Sequence, residues 1–115
     1  MPNRSRPPTP PANATGPNPD IIFATLGDPV RRRILQALAD GQPRVAKQLA
    51  GVASRRISAT IKHLAVLRDA GLIVAQENPQ DGHRQHYVLA AGIAVTRTER
   101  GLEMDFDCCL VRVKF

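Results

Sequence analysis

The sequence predicts a mainly α fold with a β-hairpin (α+β) on one small domain, and three observations carry that expectation. Aromatic residues make up 3% of the 115 and Trp is absent, so the core must be built from Ala, Val, Ile and Leu. Between residues 20 and 71 the chain repeats one device: a capping residue or Pro at the start, apolar residues at helical spacing, then a Gly stop. Beyond that point the apolar period shortens to two, the signature of strands with one covered face. A chain this short builds only a marginal core, and a homodimer relieves that shortage.

The elements follow in order. Residues 1–19, "MPNRSRPPTPPANATGPNP", carry many prolines and no aliphatic residue larger than Ala after Met1, which predicts a disordered arm. Arg4 and Arg6 on it suit contact with a phosphate or a minor groove, although a merely solvated tail is the preferred reading. "DIIFATLG" reads as a first helix capped by Asp20 and stopped at Gly27. In "DPVRRRILQALADG" Asp28 caps and Pro29 takes the first helical position; Val30, Ile34, Leu35 and Leu38 share a face, and Gly41 ends the helix. "QPRVAKQLAG" repeats the pattern from Pro43 to Gly51, with Val45 and Leu49 on one side.

The next stretch, "SRRISATIKHLAVLRDAGLI", is expected to be a helix with Ser54 as N-cap and Gly71 as stop. Ile57, Ile61, Leu64 and Arg68 cluster on one side, with Thr60 and Leu67 at its edge; Arg55, Ser58, Ala59, Lys62 and Val66 fall opposite. Small residues between cations suit a helix laid in a major groove, where bulky neighbours hold the backbone away from base edges. "LIVAQE" and "HRQHYVLA" then read as two strands around "NPQDG", whose Pro79 and Asp-Gly signal a turn. Helix pair, basic helix and hairpin in this order form a winged helix-turn-helix over residues 20–89.

Several of these stretches also resemble one family. "IFATLGDPVRRRILQALADG", "VAKQLA", "HLAVLRDAGLI" and "YVL" are similar, in this order, to successive signatures of the ArsR-type repressors. The resemblance implies a dimeric winged-helix repressor on a palindromic operator. The chain departs from the family in three places. Arg44-Val45-Ala46-Lys47 stands where a metal-binding Cys-x-Cys is found, and Ile61 stands where a Ser is frequent, so base contacts do not transfer. The tail does not resemble the long dimerising helix of many relatives.

The formal charge is +6, which suggests an anionic partner. It concentrates in residues 42–87, where Arg44, Lys47, Arg55, Arg56, Lys62, Arg68 and Arg84 face only Asp69, Glu77 and Asp81. Double-stranded DNA is the expected partner. Arg55, Ser58, Ala59 and Lys62 are placed in the groove, Arg56 and His63 nearer phosphate, and His83, Arg84 and Gln85 on the wing. No apolar run long enough to cross a membrane and no signal-peptide pattern is present, which predicts a cytoplasmic protein without a membrane partner. Carboxylate pairs, nucleophile elbows and Gly-rich phosphate loops are missing, so neither an enzyme nor a cofactor is expected.

Residues 90–115 read as an extra C-terminal β-hairpin turning near Arg100-Gly101 and serving as a dimerisation element. Leu102, Met104, Phe106, Cys108 and Leu110 share one face; beyond them the phase inverts, which suggests a bulge or a change of packing environment around Cys108-Cys109. The two cysteines suit a thiol or metalloid site for an unknown effector, or simply two apolar strand residues. Strand neighbours point to opposite faces, about 3.8 Å apart at Cα, closer than an ordinary disulfide prefers. His83 and His86 on a strand face opposite sides as well, so no metal is expected there. His63 suits packing or a phosphate contact. A thiol- or metalloid-responsive sensor and a winged-helix protein-interaction module without DNA binding stay open beside the repressor.

Overall fold

Among the described residues, four helices and two three-stranded antiparallel sheets make up the fold, an α+β winged helix-turn-helix followed by a second small sheet. The computed structural model describes residues 18–114, so all of the expected N-terminal arm except Asn18 and Pro19, including Arg4 and Arg6, lies outside the described residues. The elements are α1 (Pro19–Leu26), α2 (Pro29–Leu38), β1 (Arg44–Val45), α3 (Ala46–Ala53), α4 (Ile57–Asp69), β2 (Ile73–Asn78), a 3-10 turn (Pro79–Asp81), β3 (Arg84–Leu89), β4 (Ala94–Thr98), β5 (Gly101–Asp105) and β6 (Leu110–Val113). The first sheet has the order β1-β3-β2 and the second β4-β5-β6.

Local chemistry sets most helix ends. Asn18, not Asp20, caps α1: its Oδ1 accepts from the Ile21 N–H at 3.0 Å, and Pro19 takes the first helical position. Asp28 caps α2 as expected, its Oδ1 accepting from Val30 N–H at 2.7 Å and Arg31 N–H at 3.3 Å. Past α2 the Gly41 N–H reaches the Leu38 carbonyl at 3.0 Å, with Gly41 at φ +81, a left-handed turn that suits glycine. Pro43 opens no helix; Arg44 and Val45 instead pair with Tyr87 and His86 of β3. An ion pair between Arg44 and Asp40 at 2.8 Å braces this crossing.

Gly51 does not stop α3, which continues to Ala53 and closes on Ser54 in the left-handed conformation at φ 55. Ser54 is thus the C-cap of one helix rather than the N-cap of the next. α4 starts at Ile57 without a side-chain cap, and Arg56 is its boundary residue. The Arg56 carbonyl accepts from both the Thr60 N–H and the Thr60 hydroxyl, each at 2.9 Å. That local bond lets a polar residue sit fully buried. The covered stripe of α4 therefore runs through Thr60, Leu64 and Leu67, whereas Ile57 and Ile61, expected on the buried side, are 45% and 47% exposed.

Ile22, Ile34, Leu35, Leu38, Leu49, Leu64, Leu67 and Leu72 form the helical core, and Leu102, Met104 and Phe106 of the C-terminal sheet close the same cluster. The tail keeps the expected hairpin, turning at Glu99-Arg100, and adds a third strand to make a meander. β4 and β5 pair from Ala94–Asp105 to Thr98–Gly101, and β6 returns along β5 with Val113 opposite Leu102. At the inverted phase stands a second turn, not a bulge: the Phe106 N–H bonds the Cys109 carbonyl at 2.9 Å, Asp107 adopts φ 71, and the Asp105 carboxylate accepts from the Asp107 N–H at 2.8 Å. Either device switches the face that alternate residues present, so the pattern alone does not separate them.

One shared core has a measurable consequence. Met104 is fully buried, so Met104→Ala is expected to cost about 2–5 kcal/mol and to lower a single unfolding transition seen by circular dichroism. A helical transition left unchanged by Met104→Ala contradicts the shared core.

Candidate nucleic-acid interface

The interface is built from α3, a tight turn and α4. Ser54 ends α3 and Ile57 begins α4, so Arg55 and Arg56 occupy the turn between the two helices. The Arg55 N–H bonds back to the Ala50 carbonyl at 3.1 Å, and its guanidinium donates to the Ser54 carbonyl at 3.1 Å, which holds the turn closed. Arg55, Arg56, Ser58 and Lys62 are exposed, and Ala59 is half-buried. Among the described residues no carboxylate forms an ion pair with Arg55, Arg56 or Lys62. The α3–α4 turn and the first half of α4 thus present uncompensated positive charge.

His63 faces inward rather than toward this surface. Its Nδ1 lies 3.3 Å from Arg31 Nη1, and the same guanidinium donates through Nε to the Thr25 carbonyl at 2.6 Å and through Nη2 to the Ala24 carbonyl at 3.5 Å. Arginine has no acceptor, so in this hydrogen bond Nδ1 accepts from the guanidinium. The contact ties α4 to the corner between α1 and α2. Asp28 lies at the same corner. Burial pushes its carboxyl upward, but the Val30 and Arg31 N–H bonds, with the neighbouring His63 and Arg31 side chains, outweigh that and hold it below its ordinary value.

The wing stands beside α4. Its strands pair from Ile73–Leu89 to Asn78–Arg84, and Asn78 Oδ1 accepts from the Gln80 N–H at 3.0 Å to shape the tip. His83, Arg84 and Gln85 are exposed. His83 occupies the turn at φ 62, its Nδ1 3.1 Å from Glu77 Oε1. Asp81 bridges Arg84 at 3.1 Å and His86 at 3.0 Å, and these two partners, Arg84 foremost, hold its carboxyl below the ordinary range. The wing's charge is partly answered within the wing, unlike that of α4.

Between the start of α4 and the wing runs a groove of about 370 Å³ lined by Val45, Ala46, Lys47, Ile57, Ile61, Arg84, Gln85 and Tyr87. Sequence reasoning did not single out Lys47 or Tyr87 here, because the β1–β3 pairing that brings them to α4 joins segments some forty residues apart. The paired cation Arg84 signals the groove only once Asp81 is known to hold it.

Cys108 and Cys109 lie in the β5–β6 turn instead of a strand, so they do not face opposite sides: their Sγ atoms are 3.7 Å apart. Cys108 is exposed and Cys109 half-buried. Burial, followed by the neighbouring Cys108 and Asp105, pushes the Cys109 thiol up, which lowers its thiolate fraction at neutral pH. Among the described residues no group of three or more His, Cys, Asp or Glu side chains is placed to hold a metal ion. No helix among them is long and apolar enough to cross a membrane.

The Asp28 cap gives a pH-dependent test. Asp28→Ala is expected to cost about 1 kcal/mol at neutral pH. The folded-state pKa is depressed, so the cap's contribution is complete above the ordinary value of 3.8 and fades as pH falls through the lowered one. Urea titrations of both proteins should therefore differ at pH 7 and converge in strong acid; a difference that grows on acidification contradicts this assignment.

Residues 26–76 match a family model described as a helix-turn-helix domain, a stretch running from the end of α1 into the first wing strand. No curated protein matches the chain. The chain thus carries a stretch similar to a helix-turn-helix domain in which the turn and α4 are the exposed basic elements, and the match supports DNA-binding transcription regulation.

Proposed function

We propose that the protein is a cytoplasmic transcription regulator of the ArsR type, a homodimeric repressor that binds a palindromic operator in double-stranded DNA. The observation that carries this reading is the exposed α3–α4 turn and first half of α4, where Arg55, Arg56 and Lys62 stand without acidic partners beside the wing. α4 lies in the major groove with Ser58 and Ala59 letting its backbone approach the base edges. Arg55 and Lys62 flank them, Arg56 meets phosphate, and His83, Arg84 and Gln85 follow the backbone from the wing. No cofactor takes part. His63, tied to Arg31, positions α4 instead of touching DNA.

The dimer contact belongs to the C-terminal sheet. Leu102, Met104 and Phe106 are covered by the chain's own helices, which leaves the outer edges β4 and β6 for a second copy. Leu110, 63% exposed on β6, is the apolar residue available there. Leu110→Glu is expected to give a monomer in sedimentation. A dimer that survives it but dissociates on Phe23→Glu moves the contact to α1, where Phe23 is 59% exposed.

Selection of binders from random-sequence duplexes tests the function. An inverted repeat with a steep salt dependence is expected, and weak sequence-blind binding overturns the reading. Against the selected site, Lys62→Ala should weaken all sequences alike and lower the salt slope by about one if it meets phosphate. Arg55→Ala should instead relax preference at one position; unchanged binding to every sequence rejects its role.

A further inference from the structure

We propose that Ile57 and Ile61 read thymine methyl groups in the major groove and so set part of the operator sequence; this inference rests on the DNA-binding reading above. Both side chains are close to half exposed, at 45% and 47%, whereas Ile22, Ile34 and Ile73 are all buried. They stand one turn apart on the flank of α4 that faces the wing, and with Val45, Ala46 and Tyr87 they make the apolar lining of the groove there. The ends and rim of that surface are cationic. Lys47 and Arg84 line the groove, and Arg55 and Lys62 stand exposed on and beside α4.

An occupant must therefore be anionic at its margin and offer small apolar groups at its centre. Duplex DNA meets both demands: phosphates border the major groove, and the only apolar group on its base edges is the thymine C5-methyl. The spacing agrees. Four residues of helix rise about 6 Å, and stacked bases are about 3.4 Å apart, so the pair reaches methyls no more than two or three base pairs apart. Ser58 and Ala59, between the isoleucines in sequence, are too small to hold the helix away from the bases.

Replacing thymine by deoxyuridine removes the methyl and leaves base pairing and charge intact. In the selected operator, each thymine of a half-site is replaced in turn, and affinity is measured for the parent protein, Ile57→Ala and Ile61→Ala. One or two positions are expected to lose about fourfold in affinity, the worth of one buried methyl. Each alanine variant should lose a similar factor on the thymine site and become insensitive to uridine at its own position. Both residues are exposed, so the variants should melt where the parent does. Uridine that is neutral at every position, with sequence-specific binding intact, overturns this inference and leaves the DNA-binding reading standing. Failure of the folded parent to select any DNA overturns both.

Discussion

Burial of Thr60, Leu64 and Leu67 sets how α4 is turned against the rest of the molecule, and the bond from the Thr60 hydroxyl to the Arg56 carbonyl lets a polar residue join that stripe. With that bond made, Thr60 joins Leu64 and Leu67 in the core without leaving a buried polar atom unpaired. The rotation that buries these three places Ser58 and Lys62 directly outward and leaves Ile57 and Ile61 on the flank beside the wing. The surface chemistry of the helix is thus a consequence of its packing. An apolar residue at position 60 would fill the same space and keep the backbone bond to the Arg56 carbonyl, losing only the hydroxyl's bond.

The C-terminal sheet solves the size problem differently from the way its alternation suggests. In so short a chain the apolar face of β5 is worth most against the chain's own helices, and Leu102, Met104 and Phe106 lie there. Gly101 permits the approach: at φ +128 it lies so close to the Val113 carbonyl that a Cβ would clash. An outer surface of polar residues remains, including the Glu103–Arg112 pair at 3.0 Å.

Much of the fold was legible because its punctuation is local. Asp28-Pro29 fixed the start of α2, Gly71 the end of α4, and "NPQDG" the wing tip, each through a bond or backbone angle made within a few residues. Less legible were features that depend on distant partners or on competition between adequate candidates. Asn18 and Asp20 can each cap a helix, and the Pro following Asn18 decides between them. Ser54 is a good N-cap by residue type, but the short link between α3 and α4 requires a left-handed residue at that position. Apolar periodicity ranked Ile61 above Thr60 for burial because it does not see a hydroxyl bonded to its own helix. Of the site, the exposed Arg55, Arg56, Ser58, Lys62, Arg84 and Gln85 followed from charge and spacing, whereas the inward His63 depended on Arg31 from a different helix.

The electrostatics divide the surface in a way that bears on function. Arg44, Arg84 and Arg112 are each held by a carboxylate, while the cations of the α3–α4 turn are not. An anion approaching the molecule therefore meets uncompensated charge where the helix-turn-helix geometry also projects. The most direct measurement is the change in backbone amide resonances on titration with a DNA duplex. Shifts are expected across Arg55–Lys62 and at Arg84 and Gln85, weakening as salt is raised. Shifts confined to the C-terminal sheet or the outer face of α1, with α4 undisturbed, would contradict the account.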